Sequence, residues 1–238
     1  QVAILFGGWM GSTNVYLNDT WTWNGNAWTQ VASTGPGGRY QHAMAYDSFR
    51  NKTVLFGGLT GGLNYFGDTW TWNGNAWTQV ASTGPGGRYG HAMAYDSLRK
   101  CVVLFGGVSQ GGVLTNQTWE WDGTTWQLRS ESGPTSRMAH RMVFDSGRDR
   151  VVLFGGWTGS VLLGDTWEWD GTCWTQKGTT GPMPRHQSAM TYDSVQQRTQ
   201  LFGGIITGGV GLRDTWTWDG NQWMQVTPIS SPPARTGS

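Results

Sequence analysis

The chain has 238 residues, 37% of them hydrophobic, with 16 Lys and Arg against 15 Asp and Glu and a formal net charge of +1. It is long enough to bury a substantial core, and no apolar run approaches the roughly 18 residues that mark a membrane-crossing helix. Its basic residues are spread along the chain rather than gathered, so neither a nucleic acid nor an acidic membrane surface is expected as a partner.

Glycine (38) and tryptophan (17) are in excess, as in all-β repeat architectures. Leu-Phe-Gly-Gly recurs at Leu5, Leu55, Leu104, Leu153 and Leu201, each time followed by Trp-x-Trp-x-Gly-x-x-Trp. A fixed period near 50 residues makes the repeat the unit of architecture. The units run over about 1–38, 39–87, 88–136, 137–184 and 185–238 and are read as one domain.

The first predicted strand, Val2 to Gly8, is the second strand of a unit whose first strand does not precede it. The abrupt start at Gln1 reads as a processed or excised terminus. The unit from Arg39 shows the full pattern. His42-Ala43-Met44-Ala45-Tyr46 alternates large and small side chains, as a strand does when its small face presses on a neighbouring sheet. Val54-Leu55-Phe56 is continuously apolar, which suits a strand covered on both faces, and Gly57-Gly58 is expected to end it. Thr69-Trp70-Thr71-Trp72 is the third strand. Asn73-Gly74 supplies a tight turn that sets Trp72 opposite Trp77, and the short strand Trp77 to Val80 forms the outer edge. A Gly/Pro-rich stretch, Thr83 to Gly87, leads to the next Arg88. No segment sustains helical periodicity.

These residues resemble the kelch repeat: Arg-Tyr-Gly-His, Tyr-Asp, Val-Leu-Phe-Gly-Gly, Asp-Thr-Trp and a later Trp, with Arg88, His91, Gly106, Gly107 and Trp126 marking one unit. The resemblance implies an all-β, kelch-type β-propeller with five blades of four-stranded antiparallel sheets, one blade lacking its innermost strand. It also implies a binding scaffold, with an enzyme as the occasional exception. First strands occur four times and the other three strands five times each, so either a five-bladed ring with one three-stranded blade or part of a larger ring is expected. The seam would expose strand edges that could pair between chains, giving a homo-oligomer.

Comparison of the units locates the adaptable surface. From the start of each third strand to the next Leu-Phe-Gly-Gly the distance is always 36 residues, as from Asp19 to Leu55, whereas the segment after each Gly-Gly varies from 8 to 10. That loop and the connection from the fourth strand to the next unit share one face, and loops on a rigid scaffold commonly carry binding. Trp9 and Trp157 stand at equivalent positions in two of these loops, outside the framework triplets. They serve either as stacking platforms or as caps on their own blades. Tyr16, Tyr65 and Phe66 add aromatic surface there. Arg39, Arg88, Arg137, Arg185 and Arg235, one per unit, could together bind an anion at the mouth of a central channel. Each also has nearby acceptors in its own repeat, including the Asp of Asp-Thr-Trp, so a structural role stands beside that one.

His42, His91 and His140 lie far apart on different units, and Ser188 replaces the fourth, so packing histidines rather than metal ligands are expected. Cys101 and Cys173 occupy unrelated positions and are expected to be free thiols, buried or half buried. The sequons at Asn18, Asn51 and Asn116 do not assign a compartment. No catalytic set, metal or cofactor is expected: nearly every Asp is a repeat position, and neither cysteine has the setting of a kelch-type copper sugar oxidase. The favoured reading is a non-enzymatic scaffold that binds a protein or peptide through the loop face. A carbohydrate-binding propeller remains open, as does a recently amplified or engineered repeat without an evolved ligand, because Asp19–Tyr40 and Asp68–Tyr89 are identical.

Overall fold

The computed structural model describes residues 2–11, 13–178, 180–227 and 232–234. Five antiparallel meanders follow one another in chain order. The first has three strands, Ala3–Met10, Val15–Trp23 and Trp28–Ala32. The second has four: Ala43–Asp47, Lys52–Phe56, Thr69–Trp72 and Trp77–Ala81. The third repeats this with Ala92–Asp96, Cys101–Phe105, Thr118–Trp121 and Trp126–Ser130, and the fourth with Arg141–Asp145, Arg150–Trp157, Leu162–Trp169 and Trp174–Gln176. Ala189–Asp193, Arg198–Ile206, Val210–Trp218 and Trp223–Val226 form the fifth.

Each hairpin between third and fourth strands closes as its sequence requires. In the second sheet Trp72 pairs with Trp77, their rings 5.5 Å apart, while Asn73 Oδ1 accepts the backbone N–H groups of Asn75 and Ala76. The glycine pair behaves differently from expectation in three sheets. In the first, fourth and fifth it does not end the second strand: pairing resumes beyond a register shift at Phe6/Gly8, Phe154/Gly156 and Phe202/Gly204. The leading glycine has a positive φ in all five sheets, from +60° at Gly7 to +71° at Gly106, and this geometry accompanies a bulge in three of them and the end of the strand in the other two.

The core lies between sheets. At each of the four junctions between successive sheets, the Phe of one second strand faces the following sheet and the Leu of the next second strand faces back. Phe6 packs with Leu55, Trp72 and Trp77, and Phe56 with Leu104, Trp121 and Trp126. Phe105 meets Leu153, Trp169 and Trp174, and Phe154 meets Leu201, Trp218 and Trp223. In the second and third sheets Ala43, Ala45, Ala92 and Ala94 on the innermost strands pack into these junctions. Near their starts a backbone relay runs from Gly90 N–H to Gln41 C=O, from Ala139 N–H to Gly90 C=O and from Gln187 N–H to Ala139 C=O.

The junction that would join the fifth sheet to the first is not made among the described residues. Leu5 is 49% exposed where Leu55, Leu104, Leu153 and Leu201 are at 0%, and Trp28 is 48% exposed where its four equivalents are at 9% or less. On the fifth sheet Phe202 and Thr215 are correspondingly half-buried. Cys101 is buried and Cys173 is exposed, so the expectation of burial fails for Cys173, which sits in a hairpin turn facing solvent.

Candidate functional site

The repeated arginines are framework. Arg39, Arg88, Arg137 and Arg185 are each no more than 1% exposed. Arg39 donates to both carboxylate oxygens of Asp68 at 2.6 and 2.9 Å, to Gly57 C=O at 3.0 Å and to Gly37 C=O at 2.9 Å. Phe66 covers its guanidinium, 3.8 Å from the ring centre, so Phe66 is committed to this packing. Arg137 with Asp165 and Arg185 with Asp214 repeat the fork. The charge and hydrogen bonds of each arginine, with the indole of Trp70, Trp167 or Trp216, outweigh burial and hold these three carboxyls below their ordinary value. The donors of these four residues are satisfied inside the protein and their side chains are buried, which fits the structural role set beside the anion site. Arg235 lies outside the described residues.

Arg88 is the variant. Gln117 stands where the other units have Asp, so Arg88 gains one neutral acceptor at 2.9 Å, with Thr115, Gly106 C=O and Pro85 C=O as further partners. Burial without a counter-charge pulls its pKa down to about 10.

The histidines pack. His42, His91 and His140 set their rings edge-on to Phe6, Phe56 and Phe105 at 5.5, 5.6 and 5.5 Å. Burial, reinforced by the neighbouring arginine, lowers His42 to about 4 and His91 to about 3, and His140 well below its ordinary value. All three are therefore neutral near pH 7.

The loop face gathers aromatic rings from the first three units. Tyr40 lies 5.6 Å from Trp9 and 5.7 Å from Tyr16, and Tyr65 lies 5.2 Å from Tyr89. Asn14 Oδ1 accepts from both Trp9 Nε1 (3.3 Å) and Tyr16 OH (3.2 Å), fixing that pair on its hairpin. Burial and the neighbouring phenols of Tyr16 and Tyr65 raise the Tyr40 pKa; burial and Tyr65, then Tyr40, raise that of Tyr89. Trp9 keeps half its surface in solvent. Beside it, toward the innermost strands, opens a hollow of about 470 Å³ bordered by Leu5, Gly8, Tyr40, His42 and Gln187.

Trp157 does not join this group. It pairs with Leu162 across its own hairpin and is half-buried beside a separate hollow of about 310 Å³ shared with His186 and Ile205. Equivalence in sequence places Trp9 and Trp157 on the same loop of different sheets, not at one site. Sequence reasoning passed over Tyr40 and Tyr89 because they sit inside the repeated Arg-Tyr motif. The available signal was that this position varies, being Tyr, Tyr, Met138 and His186, beside an unvarying arginine.

A model of the KLHDC2/KLHL20/DRC7 Kelch-repeats domain matches residues 1–132, more than half of the chain. No curated protein matches it.

Proposed function

The chain belongs to the kelch-repeat family, and from that premise we propose that it is a non-enzymatic recognition module, a propeller-type stack of blades that binds a protein or peptide through its loop face. The observation that carries this reading is the set of aromatic rings that three successive units contribute, Tyr40 in contact with Trp9 and Tyr16, and Tyr65 with Tyr89. Pre-positioned aromatic rings bury a large area on binding with little entropy left to lose, which is why they dominate recognition surfaces. A catalytic role has less support, because the repeated carboxylates are already occupied. Asp68, Asp165 and Asp214 hold buried arginines, and Asp47, Asp96 and Asp145 accept backbone N–H groups in the turns between first and second strands.

Selection of peptides from a displayed random library against the whole chain tests this proposal. Trp9→Ala and Tyr40→Ala are each expected to weaken selected peptides by tenfold or more, with Trp157→Ala leaving them unaffected. Peptides indifferent to every aromatic substitution would refute the choice of face. A glycan array in which only sugars bind, through these same rings, would transfer the site to carbohydrate.

A further inference from the structure

We propose that the hollow between the loop-face hairpins of the fourth and fifth sheets binds one neutral pyranose ring, stacked on Trp157 and hydrogen-bonded by His186, Ser160 and Thr207. It belongs to the packed junction where Phe154 meets Leu201. The site does not rest on the function proposed for the rings of the first three units.

The same place is filled at other junctions. Tyr40 and Tyr89 each follow the arginine of their unit and pack on the hairpin of the preceding one, Tyr40 against Trp9 and Tyr16, Tyr89 against Tyr65. His186 follows Arg185 in the same way. Its N–H donates to Ile205 C=O at 3.1 Å and its C=O accepts from Ile205 N–H at 2.9 Å, which fixes it to the hairpin of the fifth sheet. Trp157 corresponds to Trp9. Trp9 has Tyr40 against its ring and Asn14 as acceptor for its Nε1, whereas among the described residues no ring packs on Trp157 and no acceptor takes its Nε1. The half-buried indole borders a hollow of about 310 Å³ where the imidazole stands in place of a phenol.

The lining selects the ligand. Trp157, Leu162, Ile205 and Ile206 give apolar walls, and Ser160, Thr207 and His186 add groups that both donate and accept hydrogen bonds. Burial, reinforced by the Arg141 guanidinium, lowers the His186 pKa, so its imidazole is neutral near pH 7 and offers one donor and one acceptor. Arg141 itself donates to Ser188 C=O and does not border the hollow. Among the described residues the lining contains no carboxylate, ammonium or guanidinium, so it has no charge to pair with an ionic ligand. What fits is a neutral molecule with one apolar face and a polar edge. A pyranose has both: the C–H bonds of one ring face lie against the electron-rich face of an indole, and its hydroxyls meet partners that donate and accept. The hollow is at the small end of the ~300–1,000 Å³ range of ligand pockets, which suits a single ring. Gly208 and Gly209 turn the fifth sheet's hairpin at its mouth, and a Cβ on either would meet nothing within 4 Å, so the entrance is open.

The test is saturation-transfer NMR on the whole chain with glucose, galactose, mannose and N-acetylglucosamine, each as the methyl glycoside and as the reducing sugar. At least one should receive saturation on the C–H protons of a single ring face. Trp157→Ala should weaken that sugar about tenfold or more, and Trp157→Phe, which keeps a ring, should weaken it less. His186→Ala should weaken it about fivefold, the loss of one or two hydrogen bonds. Ile206→Trp fills the hollow while keeping every polar partner and should abolish binding, a result that stands even if removing Trp157 disturbs its hairpin. A preference for methyl glycosides would assign the ring to the end of a glycan, and a preference for reducing forms to a free sugar; either supports the site. No transfer to any of these sugars, or transfer unchanged by Trp157→Ala and Ile206→Trp, would overturn the proposal. So would transfer lost in Trp9→Ala and kept in Trp157→Ala, which would put the sugar on the rings of the first three units.

Discussion

Trp126 Nε1 donates to the hydroxyl of Thr69, one sheet earlier and 57 residues back, at 2.8 Å. The same bond recurs from Trp77 to Thr20, Trp174 to Thr118 and Trp223 to Thr166, all at 2.8 Å. Each accepting hydroxyl belongs to a threonine at 0% exposure. The bonds cross the apolar junctions where Phe and Trp rings meet edge-on, 5.2 to 5.3 Å apart. They fix the rotation of one sheet on the next, which apolar packing alone leaves loosely specified.

Thr69→Val keeps the shape of the junction and strands a buried indole N–H, which should cost about 1–3 kcal/mol. Trp28→Phe is the control, since Trp28 donates to no hydroxyl among the described residues and stacks on Trp23 of its own sheet, 5.6 Å away. That change should fall within about 0.5 kcal/mol. Urea unfolding of both variants decides the matter; equal losses would mean the junction bond contributes nothing of its own.

Arg137→Ala removes one partner of a buried fork and leaves Asp165 alone, for an expected loss of about 3–5 kcal/mol. The converse experiment is at Gln117. Gln117→Asp restores the counter-charge that Arg88 lacks and should stabilise the fold by about 1 kcal/mol, the gain from a charge-assisted pair offset partly by the lost bond from Gln117 Nε2 to Glu131. Thermal melts of the two variants should therefore move in opposite directions.

Gly106 has a φ of +71°, and a Cβ there would stand 2.7 Å from Arg137 C=O. Gly106→Ala meets both backbone strain and a rigid clash, so its cost should exceed the ~1–3 kcal/mol that an unfavourable φ alone brings. Gly111 has a φ of +82°, and a Cβ there would meet nothing within 4 Å. Gly111→Ala should thus remain inside that range, and matched unfolding curves will show whether close approach adds to the cost of φ at Gly106.

The buried histidines make stability fall in mild acid. Their folded-state pKa values, about 4 for His42 and about 3 for His91, lie below the unfolded value near 6.5. Between those limits the unfolded chain binds more protons than the folded one, so stability is fully present above about pH 6.5 and declines as the pH drops toward 4 and 3. The carboxyls of Asp68, Asp165 and Asp214 are shifted down as well, so their contribution is lost only below about pH 4, the unfolded carboxylate value. Urea midpoints at pH 7.5 and 5.0 should therefore differ, and the difference should shrink in His91→Gln. An unchanged difference would locate the titration elsewhere.

The sequence by itself determined what is local and periodic. Alternation in Ala43–Asp47, the Asn-Gly turn between Trp72 and Trp77, and the spacing of Leu-Phe-Gly-Gly each depend on residues a few positions apart, so five units and their strand order were legible without coordinates. Tertiary structure alone decided which faces meet. The repeat motif places Arg39 beside a loop, but only packing buries it against Asp68 and Phe66, because those partners arrive from 27 to 29 residues away. It likewise brings Tyr40 to Trp9 and Tyr16 while leaving Trp157 apart, and it separates Leu5 and Trp28 from Phe202. The identical stretches 19–40 and 68–89 carry the same local instructions, yet Trp28 is 48% exposed and Trp77 9%, because the neighbour each one packs against is a property of the assembled stack.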